Sequence, residues 1–209
     1  MKTNTKKLID TELEVSQTLI IHLLTEMMEA TYDKTGKHNQ RVTEISALLT
    51  HYSPNLTEED EKIIRFSAPL HDIGKLTVPS EILHKKGKYS FDDFEIMKQH
   101  TTNAYQILCN SDKELIKQSA IIAHEHHENW DGTGYPQGLK GEEIHIYGRI
   151  VGFADVFDAL SHARCYKEPW FIEDVINFII DNKGTKFDPD LVDIFVEHIE
   201  EFKAIVKTT

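Results

Sequence analysis

Residues 121–136, with the sequence IIAHEHHENWDGTGYP, form the stretch around which the rest of the chain is organised. The stretch begins with a helical pattern and reaches two adjacent imidazoles, His126 and His127. In the loop that follows, Gly134 and Pro136 disfavour further helix, and glycine lets the backbone approach a ligand closely. Side chains of adjacent helical residues point about 100° apart. Because imidazole is the commonest metal ligand, this pair predicts a site for one or two metal ions, provided that other ligands converge on it.

The size and composition are those of an ordinary soluble domain. The 209 residues fit one domain and are enough to bury a core. No apolar run approaches the roughly 20 residues that span a bilayer, and the polar start does not resemble a signal peptide. Two cysteines without a CxxC spacing indicate neither a disulfide framework nor a zinc ribbon. We therefore predict a cytoplasmic protein with no membrane partner.

The net charge excludes one class of partner. A formal charge of −12 provides no basic footprint for duplex nucleic acid or an anionic membrane surface. A small anionic substrate is compatible with this charge only if local positive groups overcome the global field.

Apolar residues recur at helical spacing along most of the chain, and alternating strand patterns are nearly absent. The fold class predicted is therefore all-α, a helical bundle of residues 32–209 preceded by an N-terminal amphipathic helix in residues 1–31. The predicted helices cover about 11–30, 38–50, 57–71, 90–108, 111–127, 146–162, 172–181 and 188–206.

The first of these helices has an apolar stripe that includes Leu13, Ile20, Leu24 and Met27. The simplest explanation is packing against its own domain. The same stripe could instead pair with its copy in a homodimer, and the sequence leaves that choice open.

Nitrogen and oxygen ligands recur on or beside the buried faces of five helices. Each histidine alone is explained by a core position with a satisfied hydrogen bond. Asp155 lies among apolar residues, where an unpaired carboxylate would be costly. Together the set suits two transition-metal ions, with iron or manganese favoured over ions that prefer soft ligands. The candidate ligands are His38, His71, Asp72, His100, His126, His127 and Asp155.

Three motifs now carry a resemblance to a known family. They are HDIGK at 71–75, HHENWDGTGYP at 126–136 and RIVGFADVFDAL at 149–160. The chain resembles the HD-GYP family, a subgroup of the HD-domain metal phosphohydrolases, from about Tyr32 to about Phe202. The resemblance implies an all-helical domain with two or three metals, usually iron or manganese, that hydrolyses the bacterial second messenger cyclic di-GMP. The same seven ligands are implied.

The resemblance also implies the chemistry. The implied reaction opens cyclic di-GMP to linear pGpG through attack of a metal-bound hydroxide on phosphorus, and further hydrolysis to GMP is left open. Asp72 would bridge the two ions, and Lys75 would stabilise negative charge that develops on the phosphorane or the leaving oxygen. Members with three metals have a glutamate one helical turn before the first histidine. That position is Lys34 here, so we predict two metals.

Five further residues match the family's substrate contacts, namely Gly134, Tyr135, Pro136, Arg164 and Lys167. Tyr135 offers a ring for a guanine face, and Arg164 can grip a phosphate with paired donors. The two cations have a simpler explanation as well, because they lie near a helix C-terminus, which favours positive charge.

Several polar residues of the motifs receive supporting roles. Glu128 and Asp131 are expected to order the loop or a ligand histidine, and Asp158 to brace its own helix. The remaining histidines are interpreted as surface or packing residues, namely His22, His51, His84, His124, His145, His162 and His198.

Three other functions compete with hydrolysis of cyclic di-GMP. An enzyme of the same kind could prefer the mixed cyclic GMP-AMP dinucleotide. A receptor or interaction module could bind the dinucleotide, a diguanylate cyclase or another regulator without turnover, although the nearly complete ligand set argues against it. An HD phosphohydrolase of ordinary nucleotides is disfavoured by the intact loop at 134–136.

Overall fold

The computed structural model describes residues 19–21, 23–30, 37–162 and 169–207. Regular structure in these residues is helical, and the β-contact that they contain is an isolated bridge between Lys183 and Phe187. The predicted all-α fold class is confirmed. No helix within the described ranges combines the length and apolar character needed to cross a membrane.

The helices follow one another along the chain with short connections. Residues 19–21 and 23–30 are helical, and tight 3-10 turns cover Ala68–Leu70, Ile73–Thr77 and Gly141–Glu143. The α-helices are α1 (His38–Tyr52), α2 (Glu58–Ser67), α3 (Ser80–Leu83), α4 (Phe91–Leu108), α5 (Glu114–Glu125), α6 (Ile146–Ser161), α7 (Ile172–Asp181), α8 (Pro189–Glu197) and α9 (Ile199–Lys207).

Local capping decides where several helices begin. Thr57 and Ser90 each form a capping box with the aspartate three residues later, at the starts of α2 and α4. Asp188 accepts a hydrogen bond from Asp190 N at 2.9 Å at the start of α8. Each cap satisfies backbone donors that the first helical turn leaves unpaired.

The hydrophobic core lies along α6, which packs against α1, α5 and α7. The ring of Phe195 is central, with centroids 5.4, 5.1 and 5.2 Å from those of Phe153, Phe157 and Phe202. All four side chains are fully buried. Tilted and edge-on ring contacts of this kind contribute about 0.5–1.5 kcal/mol each beyond burial. They hold α6 in place, and α6 carries Asp155.

The N-terminal helical residues pack on the domain with one face only. Thr25, Met28 and Glu29 are buried, and Glu29 Oε1 accepts a hydrogen bond from His38 N at 2.6 Å. The opposite face is apolar and exposed. The prediction that the apolar stripe packs against its own domain is therefore wrong for Ile20, Leu24 and Met27. Leu13 lies outside the described residues. The exposed set is Leu19, Ile20, Leu23, Leu24 and Met27.

Gly74 lets the segment after Asp72 lie directly on the backbone of α4. A Cβ at this position would lie 1.8 Å from His100 O. Any other residue would therefore require the backbone of Gly74 or of His100 to move. The close approach therefore sets the distance between the 3-10 turn of Ile73–Thr77 and the helix that carries His100.

We expect Gly74→Ala to lower the free energy of unfolding by about 1–3 kcal/mol through overpacking. Because His100 must shift, metal affinity should fall as well. Denaturant unfolding of the metal-free protein and metal titration measure the two effects. Gly87→Ala is the control, since Gly87 has a φ of +106° but its Cβ meets no described atom within 4 Å. It should cost about 1 kcal/mol and leave metal affinity unchanged. Wild-type metal affinity in Gly74→Ala would contradict this account.

Candidate metal centre

The structure brings the seven predicted ligand side chains together in two adjoining groups. The first contains Asp72, His100, His126 and His127, and the second contains His38, His71 and Asp155. Within each group, one ligand atom from each residue lies within 4.8 Å of the others.

Five parts of the fold deliver these side chains. His38 is the first residue of α1, and His100 lies on α4. Asp155 lies on α6, and His126 is the C-cap of α5. His71 and Asp72 lie between two 3-10 turns, where Pro69 ends the preceding regular helix. Convergence therefore depends on tertiary packing rather than on one local motif.

Asp72 connects the two groups. Its Oδ2 lies 3.3 Å from His71 Nε2, and its Oδ1 lies 3.4 Å from His100 Nε2 and 3.8 Å from His126 Nε2. Lys75 Nζ contacts the same Oδ2. A carboxylate placed in this way can offer one oxygen to each of two ions.

Backbone hydrogen bonds set the tautomers of three ligand imidazoles. The Nδ1 atoms of His71, His100 and His126 each lie within hydrogen-bond distance of a backbone carbonyl. Because a carbonyl oxygen only accepts, each Nδ1 must carry the proton, and the Nε2 lone pair is free to bind a metal. The three acceptors are the carbonyl oxygens of Ala68, Met97 and Ile122, at 2.9, 2.7 and 3.1 Å.

The atoms that face the centre are buried and have no hydrogen-bond partner among the described residues. They are the Nε2 atoms of His71, His100 and His126, and Oδ1 of Asp72. An unsatisfied buried polar atom costs about 1–3 kcal/mol, so four of them around one point need an explanation. Metal ions between them would satisfy all four. The nitrogen and oxygen donors present thus fit transition-metal ions.

The protonation states also suit metal binding. Burial lowers the pKa of His126 to about 3 and holds the pKa of His127 well below its usual range. Burial opposes ionisation of Asp72, but the charges of Lys75 and His71 outweigh it and hold the pKa of Asp72 well below its usual range. Neutral imidazoles and an ionised carboxylate are the forms that bind a metal.

His38 is held by a buried network that sequence reasoning missed. His38 Nε2 lies 3.4 Å from Asp155 Oδ1, and His38 Nδ1 donates to Asp158 Oδ2 at 2.7 Å. Asp158 also accepts from Arg41 and lies 3.1 Å from His162 Nδ1. Burial opposes its charge, yet the hydrogen bonds from His162, His38 and Arg41 hold the pKa of Asp158 well below its usual range.

Asp158 therefore does more than brace its own helix, because it joins α6 to α1 and orients a candidate ligand. His162, interpreted as a surface or packing residue, is part of the same network. The available signal was the spacing of Arg41 three residues after His38 and of Asp158 three residues after Asp155. Such a carboxylate fixes the ring orientation of a ligand histidine and raises its basicity.

Glu128 and Asp131 order the loop that follows the histidine pair. Glu128 Oε1 accepts hydrogen bonds from the backbone N atoms of Gln137 at 2.7 Å and Gly138 at 3.1 Å. Asp131 Oδ1 accepts from the backbone N of Thr133 at 2.9 Å. Glu128 and Asp131 were expected to order either the loop or a ligand histidine, and the hydrogen bonds of both side chains support ordering of the loop.

Tyr135 covers one side of the centre. Its ring centroid lies 4.8 Å from that of His127, and its backbone N donates to His127 O at 3.2 Å. The peptide bond from Tyr135 to Pro136 is cis. A Cβ on Gly134 would lie 2.3 Å from Asn129 N, so this position requires glycine. Arg164 and Lys167 lie outside the described residues, and their contacts with substrate stay predictions.

A family model described as an HD domain matches residues 22–191. The chain belongs to the HD-domain family. The match agrees with the His71–Asp72 pair at the centre of the two ligand groups and confirms the family predicted from the motifs.

Curated relatives extend the comparison of this HD domain. It is 41% identical to the 3'3'-cGAMP-specific phosphodiesterase 2 of Vibrio cholerae, across 89% of this chain and 35% of that protein. It is 38% identical to the cyclic di-GMP phosphodiesterase response regulator RpfG of Xanthomonas campestris, across 87% of this chain and 48% of that protein. The chain thus spans less than half the length of either relative.

A solved structure shows the same fold. The cyclic GMP-AMP-specific phosphodiesterase V-cGAP3 of Vibrio cholerae superimposes with a TM-score of 0.64 and 21% identity. The alignment covers 91% of this chain and 50% of that one. At this level of identity the likeness concerns the helical architecture.

Proposed function

We propose that this HD domain is a metal-dependent phosphodiesterase that hydrolyses cyclic di-GMP to linear pGpG. The observation that carries the proposal is the position of Asp72, buried between two groups of imidazoles with its oxygens 3.3 and 3.4 Å from facing Nε2 atoms. The names of the relatives support a cyclic dinucleotide as substrate.

The proposed ligands are the seven side chains of the two groups. Two ions bound there would supply an activated water and neutralise negative charge on the phosphate. Two ions are proposed rather than three because Lys34 stands where three-metal members have a glutamate. Iron or manganese is proposed, since the ligand set is imidazole and carboxylate without thiolate.

The chain's own groups would then bind and orient the substrate. Lys75 is partly exposed beside Asp72, and its ammonium would stabilise negative charge that develops on the phosphate or the leaving oxygen. The loop at Tyr135 would cover the bound dinucleotide, and Arg164 with Lys167 would contact its phosphates. These cations would supply the local positive field that a chain of net charge −12 needs for an anionic substrate.

Several finer predictions stay proposals. They are the domain boundary near residue 32, a homodimer, a diguanylate cyclase or other regulator as partner, and a cytoplasmic location. The mixed cyclic GMP-AMP dinucleotide is the second candidate substrate, and the relative with 41% identity carries that specificity in its name.

A product time course tests the proposed function. Metal-reconstituted protein is incubated with cyclic di-GMP or with cyclic GMP-AMP, and products are separated by chromatography. We expect metal-dependent appearance of pGpG, and accumulation or loss of pGpG shows whether hydrolysis continues to GMP. Product from cyclic GMP-AMP alone would replace the proposed substrate. Binding of either dinucleotide without product would favour a receptor.

A further inference from the structure

An aromatic corner with an adjacent ion pair lies next to the candidate metal centre and extends from Tyr135 onto residues that the motifs do not assign. Phe94 and Lys98 lie one helical turn apart on α4. The ring centroid of Phe94 lies 6.0 Å from that of Tyr135 at an interplanar angle of 81°. Lys98 Nζ lies 5.3 Å from the Phe94 centroid and 5.7 Å from the Tyr135 centroid. Lys98 Nζ also pairs with Glu95 Oε1 at 2.5 Å.

The Phe94 ring is partly open to a ligand. Its side chain is 43% exposed, although burial of its apolar surface would be favourable. Tyr135 joins the corner to the centre, since its ring also contacts His127. The Phe94 ring contacts Tyr135, and the Tyr135 ring contacts the proposed metal ligand His127. A planar group stacked on Phe94 would therefore lie close to the proposed metal centre.

The ion pair presents a donor and an acceptor close to the exposed ring, because Lys98 Nζ lies over the Phe94 and Tyr135 rings and also pairs with Glu95 Oε1. Guanine offers the acceptor O6 next to the donor N1–H, so it matches an ammonium next to a carboxylate. Adenine offers the donor N6–H₂ next to the acceptor N1, which is the opposite order. The Lys98 and Glu95 side chains are 26% and 45% exposed, and an ion pair near the surface adds little to stability, so both groups are available to a ligand.

We propose that Phe94, Lys98 and Glu95 form a guanine-binding subsite, in which the base stacks on Phe94 and Lys98 donates to O6. The inference rests on the proposed function for its link to catalysis, because it assigns one base of the dinucleotide to this subsite. One guanine suffices to fill it. The enzyme should therefore accept both cyclic di-GMP and cyclic GMP-AMP and discriminate against cyclic di-AMP.

The first experiment measures binding of GMP and AMP, which contain no cyclic phosphodiester, by calorimetry on the metal-reconstituted full chain. We expect GMP to bind more tightly than AMP. Phe94→Ala should weaken binding of GMP about ten-fold, since stacking on an aromatic side chain contributes about 1–3 kcal/mol per base. Lys98→Met keeps the aliphatic stem and should remove most of the preference for GMP.

Two matched variants control for nonspecific effects. Lys62→Met removes another ion pair of the same spacing, to Glu59 at 3.1 Å on α2, and Phe91→Ala removes a ring from α4 that is 77% exposed. Both should leave the affinities for GMP and AMP unchanged.

The second experiment compares KM and kcat for cyclic di-GMP, cyclic GMP-AMP and cyclic di-AMP. Phe94→Ala and Lys98→Met should raise KM for the guanine-containing substrates and change kcat little. Equal binding of GMP and AMP by wild type, or unchanged affinities and KM in both variants, would overturn the subsite. A preference for GMP that depends on Lys98, without hydrolysis of any dinucleotide, would uphold the subsite and overturn the proposed phosphodiesterase.

Discussion

Asp72→Ala is expected to abolish turnover of cyclic dinucleotides and to lower the metal content of the protein. The carboxylate is buried, and its two oxygens face Nε2 atoms of His71 and His100 in different ligand groups. A metal ion contributes several kcal/mol to transition-state stabilisation, and 1.36 kcal/mol corresponds to a ten-fold change in rate. We therefore expect a loss of about a thousand-fold or more. Product chromatography and elemental analysis of the same samples measure both effects.

Asp193→Ala is the control for this substitution. Asp193 is an exposed carboxylate on α8 that pairs with Lys183. Its removal should leave turnover and metal content at wild-type levels. Wild-type rates in Asp72→Ala would contradict the bridging role, whatever the metal content.

Asp158→Ala should produce the largest loss of stability among the substitutions considered. The side chain is 1% exposed, and its removal leaves the Arg41 guanidinium buried without its carboxylate partner. Breaking a buried ion pair in this way costs about 3–5 kcal/mol. His38 also loses the acceptor that orients its ring, so metal affinity should fall about 10- to 100-fold. Denaturant unfolding of the metal-free protein and metal titration give the two values.

The stability effect of Asp158→Ala should depend on pH in a defined direction. The folded-state pKa of Asp158 lies well below its usual range, chiefly because hydrogen bonds from His162, His38 and Arg41 outweigh burial. Its charge therefore stabilises the fold fully above the unfolded pKa of about 3.9, and that contribution is lost as the pH falls toward the folded pKa. The difference between wild type and variant should narrow below about pH 4.

Asp188→Ala provides a matched comparison for Asp158→Ala. Asp188 is also buried and pairs with an arginine, Arg149, but within the described part of the chain its hydrogen-bond and ion-pair partners include no proposed metal ligand. The Asp188→Ala variant should be less stable than wild type, while its metal affinity should stay close to that of wild type. An equal loss of metal affinity in both variants would indicate that Asp158 acts through general stability and not through His38.

Helix positions were predictable where the sequence contains explicit signals. The bounds of α7, Ile172–Asp181, match the prediction. The capping residues Thr57 and Ser90 lie directly before the first residues of α2 and α4. The helix predicted to begin near residue 111 begins at Glu114 instead, with Lys113 as its N-cap. The Ser111 hydroxyl accepts from Lys113 N at 3.2 Å, before the first helical residue.

Other features depended on tertiary structure and were not predictable. The last helix divides at His198 into α8 and α9, although no glycine or proline marks the break. Periodicity identified the apolar stripe near Ile20 but could not distinguish a face that packs on the domain from one that is exposed.

In the candidate site, too, some features were predictable from the sequence and others were not. The positions of His38 and His100 on apolar faces were readable, because helical spacing assigns a residue to a face. The hydrogen bond between His38 and Asp158 was not predictable, because the two residues are 120 positions apart in the sequence. The contact between Phe94 and Tyr135 was not predictable either, because it depends on how the loop packs against α4.

The proposed phosphodiesterase activity requires two metal ions at this centre. A metal titration of anaerobically purified metal-free protein with iron or manganese tests this requirement when bound ions per chain and the rate of pGpG formation are measured together. We predict no product from the metal-free protein and a rate that reaches its maximum at two ions per chain. Full metal occupancy without product from either dinucleotide, or full activity without metal, would contradict the account.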